Sequence, residues 1–150
     1  MYETVLIPTD GSEQAEVAIR EGVELADQSD ATVHALYVVE PIPLGGFDAG
    51  GAAARTEWGD VVDEQRAEGE AAIEAIVEAA SEVDVEVVES LRHGKPAAEI
   101  LEYVDESDVD AIVMGTHGRS GADRLVLGSV TEKVVRKSPV PVLTVRFADE

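Results

Sequence analysis

The sequence predicts an α/β fold: one open, five-stranded parallel sheet, Rossmann-like, with helices on both faces. Three observations predict it. Short apolar runs alternate with amphipathic segments along the whole chain, the pattern of repeated strand–helix–strand units. No composition break divides residues 1–150, so they read as a single domain. At 150 residues and 45% apolar composition, a compact chain buries roughly 70% of its unfolded surface. That core is large enough to need no staples.

Each element follows from local pattern. Thr4-Val5-Leu6-Ile7, ending at Pro8, reads as a strand buried on both faces. Ser12 is placed to cap a helix whose small and apolar positions Ala15, Ala18, Ile19, Gly22 and Ala26 recur near a 3.6 period. Thr32 to Val39 is a second strand. Glu40 to Glu57, with Pro41, Pro43 and several glycines, reads as a long mobile loop. A helix is expected from about Trp58 to Ala80, its inner side lined by Val61, Val62, Gln65, Gly69, Ala72, Ile73, Ile76 and Ala80. Val85 to Glu89 is the third strand. Pro96 opens a helix at its first turn, where a missing N–H costs little, with Ala97, Ile100, Leu101 and Val104 inward. Ala111 to Met114 is the fourth strand and ends at Gly115. Ser129 to Lys137 forms a helix and Val140 to Arg146 the last strand, whose flanking Pro139 and Pro141 suit a sheet edge. A valine-rich edge invites pairing with a second copy of the chain.

Composition excludes several classes. There is no cysteine, hence no disulfide, thiolate zinc site or cysteine nucleophile. No apolar run reaches the ~18 residues of a membrane span, and Met1-Tyr2-Glu3-Thr4 carries no basic leader. A soluble, cytoplasmic protein is the expectation. Thirty-two acids against eleven bases leave a formal charge of −21, which repels phosphate backbones and anionic lipid. Nucleic acid and membrane are therefore not expected partners. With only Lys95, Lys133 and Lys137 as lysines, the acidic surface points to a halophilic source whose self-repulsion is screened by salt. The bases are concentrated: Arg119, Arg124, Lys133, Arg136, Lys137 and Arg146 face only Asp123 and Glu132 between Ala111 and Arg146. They serve either an anion or surface pairing with acids.

In open parallel sheets, ligands collect beyond the carboxyl ends of the strands where strand order reverses. Two loops qualify: Pro8-Thr9-Asp10-Gly11-Ser12, and Gly115-Thr116-His117-Gly118-Arg119-Ser120-Gly121 running on to Gly128-Ser129-Val130-Thr131. The second has the parts of an anion site. Glycines admit backbone N–H groups close to an anion, and a Gly-Ser helix start supplies free N–H groups with the positive end of a dipole. Ser129 and Thr131 add hydroxyls and Arg119 a permanent charge. Asp10 has two readings. It either accepts from a ribose hydroxyl or adenine amine, or holds a divalent metal beside phosphates; or it closes an Asx turn before the first helix. The phosphate-loop, dinucleotide, nucleophile-elbow and zinc-protease motifs are absent. Among the histidines, His34 lies within a strand, His93 precedes Gly94-Lys95 at the third helix, and His117 with Ser120 lacks an orienting acid.

The remaining combination, Gly115-x2-Gly118-x9-Gly128-Ser129 after the fourth strand with Pro8-Thr9-Asp10-Gly11-Ser12 after the first, resembles the universal stress protein family in its ATP-binding branch. The likeness runs through Ser138-Pro139-Val140-Pro141-Val142 and so spans essentially the whole chain. It implies strand order 3-2-1-4-5, a homodimer built through the last strand, and ATP held by both loops. It implies that Asp10 meets the adenosine end, with Pro8 and Thr9 shaping that wall and Val38 offering backbone groups to adenine. Met114, Gly115, Gly118, Arg119, Gly128, Ser129, Val130 and Thr131 then surround ribose and phosphates, with His117 inside the loop. A nucleotide-dependent homodimeric switch in stress response is the leading expectation. Two others stay open: a slow ATPase or phosphoryl or nucleotidyl transferase using Mg²⁺ or Mn²⁺ with Asp10, and a nucleotide-free interaction module.

Overall fold

The computed structural model describes residues 2–40, 52–116 and 127–146, the side chains of 52–62 excepted. Strands and helices alternate: β1 (Thr4–Thr9), α1 (Glu13–Ser29), β2 (Thr32–Val39), α2 (Ala52–Ser81), β3 (Val87–His93), α3 (Pro96–Glu106), β4 (Ala111–Gly115), α4 (Ser129–Lys137) and β5 (Val142–Val145). The sheet is parallel throughout, in the order β3-β2-β1-β4-β5.

Strand alternation sorts side chains into two layers. Val5, Ile7, Val33, Ala35, Tyr37, Val39 and Val113 face α1 and α2, where they meet Ala18, Ile19, Val23, Ala72, Ile73 and Ile76. Leu6, Leu36, Ile112 and Met114 face α3 and α4, where they meet Ile100, Tyr103, Val104 and Val134. Gly22 of α1 lies so close to the sheet that a Cβ there would stand 2.5 Å from Cδ1 of Ile7. Asp110, just before β4, accepts the N–H groups of Glu3 and Thr4 on one carboxylate oxygen at 2.8 and 2.9 Å. It thereby pins the entry of the central strand to its neighbour.

Four boundaries differ from the sequence expectations. β1 continues through Pro8 to Thr9 because it stays in register with β2 as far as Thr9↔Tyr37. β3 is Val87–His93 rather than Val85–Glu89, because pairing with Val33–Val39 holds it; Glu89, Ser90 and Arg92 are tolerated because β3 is an edge strand with solvent beside it. α2 starts at Ala52, so 52–57 are helical rather than loop, while 41–51 lie outside the described residues. β5 shortens to Val142–Val145. The inner side of α3 includes Tyr103 with Ile100 and Val104, whereas Ala97 and Leu101 are only half-buried.

Candidate functional site

The sheet opens where its strand order reverses. β1 and β4 are paired only at Val5↔Ala111 and Leu6↔Ile112. Beyond that point β1 keeps to β2 as far as Thr9, and β4 keeps to β5 as far as Gly115. The two central strands thus part company at their carboxyl ends, where open parallel sheets carry their ligand cleft. Pro8 falls past the last β1–β4 pair, so its missing N–H takes nothing from that ladder.

The two lips of the cleft are finished in opposite ways. On the β1 lip, side-chain oxygens absorb backbone donors. Oγ1 of Thr9 accepts from the Gly11 N–H at 3.1 Å, Oδ1 of Asp10 from the Ser12 N–H at 3.0 Å, and Oγ of Ser12 from the Ala15 N–H at 3.3 Å. Gly11 takes a positive φ of 79° in this turn, a conformation that glycine adopts without a Cβ penalty. Asp10 is therefore the acceptor of an Asx turn, and Ser12 is the N-cap of α1. The lip presents a carboxylate, with the Gly11, Ser12 and Ala15 amides already engaged.

On the β4 lip, donors absorb backbone carbonyls. The Thr131 hydroxyl donates to the Gly115 carbonyl at 2.8 Å, and Thr131 is almost wholly buried. The Gly128 N–H donates to the Thr116 carbonyl at 2.8 Å, and the Thr116 N–H to the Val145 carbonyl at 3.1 Å. α4 has Gly128 as N-cap with no side-chain cap. Intrahelical bonding begins with the Glu132 N–H on the Gly128 carbonyl. The N–H groups of Ser129, Val130 and Thr131 consequently have no acceptor among the described residues. Three adjacent amides without an acceptor among the described residues, at the positive end of a helix dipole, make this lip a donor surface suited to an anion.

The structure brings most of the expected residues to this cleft. Gly115, Gly128 and Thr131 are joined directly or through Thr116, Pro8, Thr9 and Asp10 end the adjacent strand, and Val38 and Val130 pack with Met114 in one apolar cluster. Pro8, Val38 and Met114 all lie on the α3/α4 side of the sheet, so that side carries the cleft's apolar wall. His117, Gly118 and Arg119 lie outside the described residues. The sequence reading of Thr131 and Gly128 as donors to a ligand missed their protein partners: the Thr131 hydroxyl and the Gly128 N–H are already committed. Thr116, whose carbonyl takes the Gly128 N–H and whose own N–H donates to Val145, is not among the residues the sequence singles out.

The other candidates fall elsewhere. His93 ends β3, is exposed and does not cap α3. His34 shares the sheet face of Val38. Its Nδ1 is 2.6 Å from the Tyr103 hydroxyl, to which Ser90 donates at 3.2 Å, and burial lowers its pKa. Of the clustered bases, Arg136 pairs with Glu132 at 2.9 Å across one helical turn, and this bond holds the Glu132 carboxyl below its ordinary range. Lys133, Lys137 and Arg146 are exposed, with no ion pair among the described residues. Among those residues, no group of three or more His, Cys, Asp or Glu is placed to hold a metal, and no helix is long and apolar enough to cross a membrane.

Comparison with known proteins agrees in length and fold. Residues 1–146 match the model of the universal stress protein family. Universal stress protein MJ0531 of Methanocaldococcus jannaschii is 36% identical over 146 residues, covering 97% of this chain and 83% of its own. The solved UspA of Lactobacillus plantarum superposes with a TM-score of 0.85 at 26% identity, over 97% of this chain and 98% of that one. A solved universal stress protein in complex with cAMP superposes with a TM-score of 0.73 at 27% identity, over 98% and 99%.

Proposed function

The chain belongs to the universal stress protein family, and from that premise we propose that it is an ATP-binding regulatory protein working as a homodimeric, nucleotide-dependent switch in stress response. One observation carries the nucleotide reading. At the strand-order reversal, three α4 amides with no acceptor among the described residues lie at the end of β4, beside a β1 end that carries the Asp10 carboxylate. A ligand that suits both lips has an anionic tail and a hydroxyl- or amine-bearing head. A nucleotide has both, and a relative at 27% identity was solved with one.

In this reading the α4 amides and Ser129 meet the phosphates. Met114, Val130, Pro8 and Val38 form the apolar wall for the base, and Asp10 accepts from the ribose or the adenine amine. Gly118, Arg119 and His117, which lie in sequence between β4 and α4, complete the phosphate contacts. Among the described residues of these lips, a Mg²⁺ or Mn²⁺ ion would find the Asp10 carboxylate, and would take further ligands from phosphates and water. The Leu143 side chain on edge strand β5 is 47% exposed, and pairing of that edge with a second copy covers it.

The test is to denature the purified protein and identify released nucleotide by mass spectrometry, then to titrate ATP, ADP, AMP and adenosine in molar salt. ATP is expected to bind tightest, with affinity falling as phosphates are removed, and Gly128→Val is expected to weaken ATP binding. Affinity independent of phosphate number would sink the anion role of α4. Steady ATP turnover abolished in Asp10→Ala would make the protein an enzyme instead.

A further inference from the structure

We infer that Thr131 is a positioning residue: its hydroxyl acts on the Gly115 carbonyl and sets the α4 amides for an anion, rather than touching the ligand itself. The inference rests on the nucleotide reading above for its functional consequence, but on the protein's own hydrogen bonds for its geometry. Thr131 is 3% exposed, too little to offer a hydroxyl to a ligand in an open cleft. Its proton is already given to the Gly115 carbonyl at 2.8 Å.

The next carbonyl, that of Thr116, is taken by the Gly128 N–H at 2.8 Å. The peptide between these two residues is also held from the β5 side, where the Thr116 N–H donates to Val145 at 3.1 Å. Two consecutive carbonyls at the end of β4 are thus occupied by donors. Left unoccupied beside the cleft, they would set negative partial charge against an incoming phosphate. The same bonds fix the first turn of α4 against the strand end. These bonds set the amides of Ser129, Val130 and Thr131 in place before any ligand arrives, which lowers the ordering cost of binding. A serine at 131 can make the same bond; a valine has the same shape and cannot.

The experiment compares wild type, Thr131→Val and Thr131→Ser in molar salt, at a temperature where circular dichroism shows all three folded. Calorimetric titration with ATP, ADP, AMP and adenosine is paired with amide hydrogen exchange of the ligand-free proteins. Thr131→Val is expected to weaken ATP, ADP and AMP by a common factor of about ten, the equivalent of one lost hydrogen bond. It is expected to affect adenosine less and to speed exchange at residues 129–131. Thr131→Ser is expected to restore both readouts. A loss that grows with phosphate number while exchange stays unchanged would make the hydroxyl a direct ligand contact and overturn the inference. So would unchanged affinities in Thr131→Val, or failure of serine to restore them. If wild type binds no nucleotide at all, the functional reading fails, and exchange at 129–131 alone decides whether the hydroxyl positions the turn.

Discussion

The two faces of the sheet are built from the same alternating strands, yet they are put to different uses. The face toward α1 and α2 is dominated by one apolar cluster, from Val5 and Ile7 through Tyr37 to Ile76, with the Gln65 amide oxygen buried beside it. The face toward α3 and α4 mixes its apolar cluster with polar machinery. His34, Ser90 and Tyr103 are hydrogen-bonded together, and the Arg92 guanidinium lies 4.9 Å from the Tyr103 ring centre. Arg92 is surrounded by Glu99, Glu102 and Glu106, and the cleft opens on this side as well. Polar groups inside a core have to be fully satisfied and add less net stability than the same area of hydrocarbon. One face therefore anchors the fold while the other holds the groups that can respond to ligand, proton or salt.

Five substitutions test that division, the largest effect first. Ile76→Ala on the anchoring face removes a side chain with 0% exposure, and a loss of about 3–4 kcal/mol is expected by denaturant unfolding. Gly22→Val comes next, at about 2–3 kcal/mol. Its Cβ alone would press on Ile7 at 2.5 and 2.8 Å, and Val113 lies 3.4 Å away on the other side. Neither change should alter the relative affinities for ATP and AMP once the variant is folded; if either does, the faces are coupled and the division is too simple.

On the responsive face, Tyr103→Phe keeps the ring under Arg92 but strands the His34 and Ser90 partners, and a loss of about 1–2 kcal/mol is expected. The pH dependence of this face has a definite sign. Burial holds the folded-state pKa of His34 below its ordinary 6.5, so the unfolded chain takes up this proton more readily. The contribution is fully present above about pH 6.5 and is lost as pH falls below it. His34→Asn, which places an uncharged amide near the position of Nδ1, should flatten the fall in denaturation midpoint between pH 7.5 and 5.5. An equal fall in variant and wild type would assign the acid sensitivity to other groups. The smallest effect belongs to Arg136→Ala, which removes an exposed helical ion pair with Glu132. No measurable loss of stability is expected in molar salt.

Much of this molecule is legible in its sequence. The spacing of Ala15, Ala18, Ile19, Gly22 and Ala26 places one face of α1, and all five are buried. Pro96 and Ser129 open their helices as local chemistry requires. The order of elements follows from apolar runs alternating with helical periods, and the cleft from the rule that ligands gather where strand order reverses. Boundaries were less legible where pairing overrode local pattern. Pro8 and Thr9 join β1 because β2 runs alongside them, and Leu91, Arg92 and His93 join β3 for the same reason.

What residue order alone determined here is which face each side chain takes and where the glycines and caps must fall, because both depend on contacts within a few positions. What folding decided is who bonds to whom across the chain: Thr131 to Gly115, Gly128 to Thr116, His34 to Tyr103, Asp110 to the start of β1. Periodicity names a face but not the partner opposite it. A partner is chosen only when strand register and helix placement bring two distant segments within the ~3 Å at which a hydrogen bond forms.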